Sequence, residues 1–137
     1  MKKKCFIKAC LVVLCIILIA ITVYALLTRP KTDYSEAEVK SAIQVVQEGP
    51  GSVSYLTITN LHYDQEATKK AYAENRDGLL KKRYGSKILV LRGDIAVGDN
   101  VPQGTGFEAG TAQPDYQFIM VQSDKDSQWE LADGGYP

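Results

Sequence analysis

Cysteine is scarce in this 137-residue chain and confined to one end: Cys5, Cys10 and Cys15 are the three, and none follows. The rest of the chain is therefore no disulfide scaffold, and it offers no thiol for nucleophilic catalysis or for zinc. Histidine is scarcer still. His62 stands alone, whereas a zinc site needs several ligands converging. Acid is missing from the N-terminal quarter, where no Asp or Glu precedes Asp33. Six of the 16 basic residues (Lys2, Lys3, Lys4, Lys8, Arg29 and Lys31) lie in that stretch, so a formal charge of zero hides an asymmetry. From Asp33 onward, 10 basic side chains stand against 16 acidic ones, a formal −6. Such a domain repels phosphate backbones, which argues against nucleic acid as its main partner. Its 105 residues suffice for one modest core, not two.

What is present first is a long apolar run. Residues 9–28, "ACLVVLCIILIAITVYALLT", form 20 uncharged residues in succession. At ~1.5 Å per residue they span ~30 Å, about the thickness of the bilayer's hydrocarbon core. A chain this short cannot surround such a run with apolar neighbours, so it reads as a membrane span. Four lysines precede it and two basic residues follow. The more basic flank stays cytoplasmic, which places the bulk of the chain outside. A cleaved secretory signal is the competing reading, with Val23-Tyr24-Ala25 as a small-residue cleavage site after Ala25. The run exceeds the usual ~7–15 apolar residues of a signal, which favours an uncleaved, single-pass anchor in the cell membrane. Neither Cys10 nor Cys15 resembles a lipoprotein attachment site. Leu14 precedes Cys15, and Cys10 has Lys8 rather than an apolar stretch behind it.

The expected organisation is a basic cytoplasmic segment (1–8), the anchor (9–28), a linker (29–34) and an extracytoplasmic domain (35–137). In the domain, Ser35 and Glu38 form a capping box, and Val39, Ala42, Ile43 and Val46 recur on one face of a helix that Gly49 ends. Residues 53–64, "VSYLTITNLHYD", are β-branched and aromatic and predict a strand whose inward face stays ambiguous. Asp64 is placed as N-cap of a second helix over 65–85, with Gly78 as a weak point and Lys81, Lys82 and Arg83 at its negative end. Residues 87–97 predict a second strand with Leu89, Leu91, Ile95 and Val97 on one parity. A glycine-studded irregular stretch covers 98–114, followed by strands over 115–124 and 128–133 joined by a tight turn and therefore antiparallel. Trp129 and Leu131 are expected to pack inward, with Gly134-Gly135 turning the chain so that Tyr136 covers an edge. No internal repeat or low-complexity segment interrupts this order.

The fold class is thus α+β: a curved antiparallel four-stranded sheet wrapped on two helices, in the order α-β-α-β-β-β, preceded by one transmembrane helix. That order, with a late Trp strand closing on Asp133-Gly134-Gly135-Tyr136, resembles the nuclear-transport-factor-2-like superfamily of cone-shaped domains. More closely, it is similar to a family of extracytoplasmic domains from Gram-positive bacteria. Tyr63-Asp64 before the second helix, the "KKRYG" of Lys81–Gly85 and the stretch Trp129–Tyr136 carry that resemblance over residues 35–137. It implies a cystatin-like cone, and its motifs carry no known catalytic role. It also implies an alternative, because the superfamily contains isomerases and dehydratases that use an Asp or His in the cone for proton transfer.

Four residues are candidates to line such a pocket: His62, Asp94, Tyr116 and Trp129. His62 can act as a general base or simply face solvent on its strand. Asp94 breaks the parity of its strand beside Gly93, and marks either a pocket carboxylate with a raised pKa or a bulge. Asp133 is explained by a turn. Gly104-Thr105-Gly106 and Gly110 lack the Lys-Ser/Thr of a phosphate cradle, and no metal or other cofactor is expected. Seven tyrosines beyond the apolar run suit pocket walls and interfaces. The expectation is a non-catalytic binding or accessory domain taking an apolar small ligand, a peptide or an envelope protein. A base-using enzyme and a structural component of an envelope complex are the alternatives.

Overall fold

The computed structural model describes residues 2–27, 32–75, 87–122 and 128–135, with side chains from Cys10 onward. The chain divides into two compact units, Met1–Pro30 and Lys31–Pro137. Asp33 and Tyr34, read from sequence as linker, thus belong to the second unit.

The first unit is one helix, α1 (Lys2–Leu27, 26 residues). Its 18-residue window Cys10–Leu27 is long and apolar enough to cross a membrane, and no part of it is buried by protein. Large apolar side chains stay open along it, from 48% exposed at Val23 to 80% at Leu27. The Thr22 hydroxyl donates to the Leu18 carbonyl at 2.8 Å, so the helix satisfies it internally. Val23-Tyr24-Ala25 lies within this helix.

The second unit opens with α2 (Glu36–Glu48). Its N-terminus is a complete capping box: Ser35 Oγ accepts from the Glu38 N–H, and Glu38 Oε2 accepts from the Ser35 N–H at 2.9 Å. Ala42 and Val46, one turn apart, are fully buried. A 3-10 turn, Pro50–Ser52, follows. The strand predicted from Val53 starts three residues later, because the Leu56 N–H turns back onto the Val53 carbonyl at 3.0 Å. Strand β1 is Leu56–Tyr63. Asp64 then caps α3 (Gln65–Glu74), its carboxylate accepting from the Ala67 N–H at 2.8 Å. The predicted continuation of this helix to residue 85, with Gly78 and Lys81–Gly85, lies outside the described residues. So does the turn at 125–127.

β2 (Lys87–Val97), β3 (Ala112–Gln122) and β4 (Trp129–Gly135) complete a sheet of order β1-β2-β3-β4, antiparallel throughout. β3 starts three residues before the predicted Asp115, and the irregular stretch before it holds Gly104, Gly106 and Gly110 at positive φ. β4 runs through Gly134 and Gly135 instead of turning at Asp133, and Gly134 faces Phe118 across the ladder. The glycine serves the neighbouring strand. A Cβ there would lie 3.0 Å from Tyr116 Cε1, so its absence leaves room for that ring. Tyr136 lies outside the described residues.

The outer strands β1 and β4 both pack against α2, although they are not neighbours in the sheet. The sheet is therefore curved, with α2 on its concave side. Parity divides what the strands bury. Leu89, Leu91, Ile95 and Val97 of β2 join Phe118, Met120, Trp129, Ala42 and Val46 in the concave core. Ile88 and Val90 point the other way, into a smaller cluster with Val121 and with Ala67 and Ala71 of α3. Trp129 is 3% exposed, as its inward strand position predicts. Leu131 corrects the same expectation, at 37% exposed. It shares the parity of Trp129, but β4 is an edge strand and its register slips between Asp133 and Leu131.

Candidate functional site

Two further bulges shape the convex face. Between Thr59 and His62, β1 has one residue more than β2 opposite it, and Asn60 takes φ 55°. Between Gln113 and Tyr116, β3 likewise has one residue more, and Asp115 takes φ 59°. Asn and Asp tolerate the left-handed region better than other residues with a side chain, and Pro114 is at home where the ladder is already interrupted. The first bulge resolves the ambiguous face of β1. Leu56 and Ile58 point inward before it, Leu61 and Tyr63 after it. Gly93 sits opposite this crossover, and a Cβ on it would lie 2.9 Å from Leu61 Cδ2 and 3.0 Å from the Thr59 carbonyl.

Asp94 lies between the two bulges and ties both. Its Oδ2 accepts from Asn60 Nδ2 at 2.7 Å, and its Oδ1 accepts from the Asp115 N–H at 3.0 Å. These bonds, the Asn60 one foremost, hold the Asp94 carboxyl below its ordinary range, and the charge of His62 adds to the effect. The shift runs opposite to the raised value a pocket base would need. Asp94 marks the bulges.

The polar chain continues through Arg92, which sequence reasoning passed over. Its Nε lies 2.7 Å from Asp64 Oδ2, and its Nη1 pairs with Asp115 Oδ2. Asn60, Asp94, Asp115, Arg92 and Asp64 therefore form one chain of contacts from β1, across β2 and β3, to the N-terminus of α3. An arginine at the parity of the apolar Ile88 and Val90 was the available signal. His62 stands opposite Arg92 across the ladder, exposed, with Nδ1 2.8 Å from the Asn60 carbonyl.

The four candidates thus separate into two pairs. His62 and Asp94 share the convex face. Tyr116 and Trp129 belong to the concave core, where the Tyr116 ring meets Phe118 at 5.1 Å and Trp129 is enclosed. The sheet lies between the pairs, so no single pocket takes all four. Nor is the concave interior vacant at its centre: Leu89, Leu91 and Met120 are fully buried there. Among the described residues, no group of three or more His, Cys, Asp or Glu side chains is placed to hold a metal ion.

A second polar cluster surrounds Tyr34, also unmarked by any sequence signal. Its hydroxyl donates to the Ile88 carbonyl at 2.7 Å and lies 3.2 Å from the Tyr72 hydroxyl. Burial, then the Tyr72 hydroxyl, push its phenol well above the ordinary value. Burial raises Tyr63 as well. Both phenols act here as neutral donors, not as bases.

Comparison with protein-family models, with curated proteins and with solved structures finds no match to this chain.

Proposed function

We propose that the chain is a single-pass membrane protein whose acidic domain lies outside the cytoplasm and serves as a non-catalytic binding or accessory module of the cell envelope. The observation that carries this reading is the engagement of the convex-face charges with one another. The Asp94 carboxylate accepts from both neighbouring strands, and Arg92 lies between two carboxylates. A general base needs a pKa near the working pH, whereas the Asp94 carboxyl is held below its ordinary range by the Asn60 and Asp115 bonds. Within this reading, the filled centre favours a peptide or protein partner over an enclosed apolar ligand. Leu131 is the single large apolar side chain exposed among the described residues of the domain. Recognition through polar groups or a strand edge suits that surface better than an apolar patch.

Topology is the first test. Protease added to spheroplasts should digest the domain and leave a short membrane-bound stub. Survival of the full chain until lysis would place the domain inside and overturn the reading. Crosslinking in intact cells should then capture an envelope protein, and His62→Ala with Asp94→Asn should leave that capture intact.

A further inference from the structure

The charge of the first unit is gathered at one end and has no counterpart within that unit. Lys2, Lys3, Lys4 and Lys8 precede the apolar window Cys10–Leu27, and no Asp or Glu occurs before Asp33. Arg29 and Lys31, on the other flank, are followed closely by Asp33, Glu36 and Glu38. One flank therefore has acid beside it in the chain, whereas the other must take its counter-charge from another molecule. The imbalance orients the anchor, but orientation does not neutralise it.

The helix sets where those four charges stand. α1 is continuous from Lys2 to Leu27, so it runs on about two turns beyond the window at the basic end and stops with the window at the other. At ~1.5 Å per residue, the Lys8 backbone lies ~3 Å before Cys10, and those of Lys4 to Lys2 lie ~9–12 Å before it. The polar layer of one bilayer leaflet is about 5–7 Å deep, so an upright helix carries Lys8 within that layer and the other three at its aqueous margin. All four then stand within about one Debye length of the headgroups, ~8 Å at physiological salt. The lysines also go around the helix: at ~100° per residue, no gap between neighbours exceeds ~120°. The apolar window is equally even, with its large side chains exposed and no part of it buried. A protein groove reads one face of a helix. Charge and apolar surface spread over all faces match the lipids that surround it.

We propose that the N-terminal two turns of α1 form a binding site for anionic phospholipid headgroups, a basic collar that enriches acidic lipid around the anchor. A lysine ammonium is a compact positive charge with three donors and no acceptor, which suits a headgroup phosphate. The attraction of one lysine near an anionic leaflet corresponds to about fivefold in association. The collar rests on the reading of α1 as a membrane span. It does not depend on which side of the membrane the domain occupies, or on any envelope partner.

The test reconstitutes the full chain into phosphatidylcholine vesicles holding a minor fraction of phosphatidylglycerol. Electron spin resonance of spin-labelled forms of both lipids reads which of them is held at the protein boundary. Phosphatidylglycerol should be preferred there at least about fivefold, and high salt should lower the preference. Lys2→Gln, Lys3→Gln, Lys4→Gln and Lys8→Gln together should remove most of it, while Lys→Arg at the same four positions should retain it. Arg29→Gln with Lys31→Gln should change it by less than about twofold, since acid already stands beside that flank. Should the glutamine variant fail to reconstitute, the salt dependence of the wild type and the arginine variant carry the test. Inorganic phosphate, at the ionic strength of a chloride control, should act no differently from chloride. Stronger competition by phosphate would make this a site for the free anion and overturn the lipid assignment. Boundary lipid without preference, or a preference that survives loss of all four lysines, would overturn the collar alone. No boundary lipid at all would remove the membrane span and the collar with it.

Discussion

The concave and convex sides of this sheet solve burial by different means. On the concave side, α2 and the strands bring together a core of apolar side chains margined by tyrosines, with Leu89, Leu91, Met120, Ala42 and Val46 fully enclosed. On the convex side, apolar burial stops after Ile88 and Val90, and one buried hydroxyl and a chain of charges take over. The first arrangement draws its stability from area removed from water, which does not depend on direction. The second depends on bond geometry, because each polar group needs a partner in place. Loss of a side chain should therefore be expensive on one side in proportion to its size. On the other it should be expensive in proportion to what it leaves unpaired.

The largest effect is expected at Trp129, enclosed by the concave core and in edge-on contact with Tyr34. Trp129→Ala should cost about 3–5 kcal/mol, the usual range for a buried large aromatic. Of the ~5–15 kcal/mol available to a domain, that is enough to prevent folding. Urea denaturation followed by circular dichroism measures it, and a loss below about 1 kcal/mol would show that the indole is not a core residue.

Next comes Thr68, the buried polar residue of the convex cluster, fully enclosed. Its hydroxyl donates to the Asp64 carbonyl at 2.7 Å and accepts from the Val90 N–H. Thr68→Val keeps the shape and strands the Val90 N–H, so a cost of about 1–3 kcal/mol is expected, with little change in apolar area. Faster amide exchange at Val90 than at Leu91 would locate the loss. An unchanged Val90 amide would mean that the hydroxyl does not hold this edge.

The contrast also explains what the sequence made legible. The Ser35–Glu38 capping box, the Asp64 cap, the limits of β2 and the burial of Trp129 depend on neighbours in the chain or on simple parity, and each was readable. The face of β1, the partners of Asp94 and the place of Tyr34 were not. Asn60 and Asp115 form bulges only because β2 lies between them, and Asp94 acquires its role only when both are present. One local sign existed: apolar residues of β1 fall on even positions at Leu56 and Ile58 and on odd ones at Leu61 and Tyr63. A change of parity within one strand is what a bulge writes into sequence. Tyr34 left no such sign, because its partners at Tyr63, Ile88 and Trp129 are distant in the chain. Leu131 misled for the opposite reason. Parity gives a side, but not the depth of cover at an edge.

Asp94 tests the convex side through pH. Its carboxyl is depressed from an ordinary 3.8 in the folded domain, with Asn60 as the main cause. A depressed carboxylate contributes stability that is fully present above the unfolded pKa and is lost as pH falls through the lower folded value. Asp94→Asn should therefore destabilise by less than Thr68→Val, because the site is exposed to solvent. The difference in Tm between wild type and variant should be constant from neutral pH down to about 4–5 and shrink below that. A difference that grows on acidification would contradict the role assigned to the Asn60 and Asp115 bonds.

The smallest effect on stability is expected at Leu131, and there the comparison between the two sides becomes a comparison between folding and binding. Leu131 has concave parity but 37% exposure, on the edge strand β4 between the exposed Glu130 and the half-buried Ala132. Leu131→Ser removes apolar area that is already partly wet, so its cost should stay below about 1 kcal/mol, far under that of Trp129→Ala two residues away. If β4 meets a partner in the envelope, the same substitution should reduce crosslinked complex several-fold, since an apolar side chain on an edge gains its burial only on association. Measured together, urea stability and crosslinking yield separate the two contributions. A loss of stability rivalling that of Trp129→Ala would place Leu131 in the core. Full stability with undiminished crosslinking would leave the β4 edge without a binding role, and direct attention to the opposite edge, where Tyr34 covers Ile88.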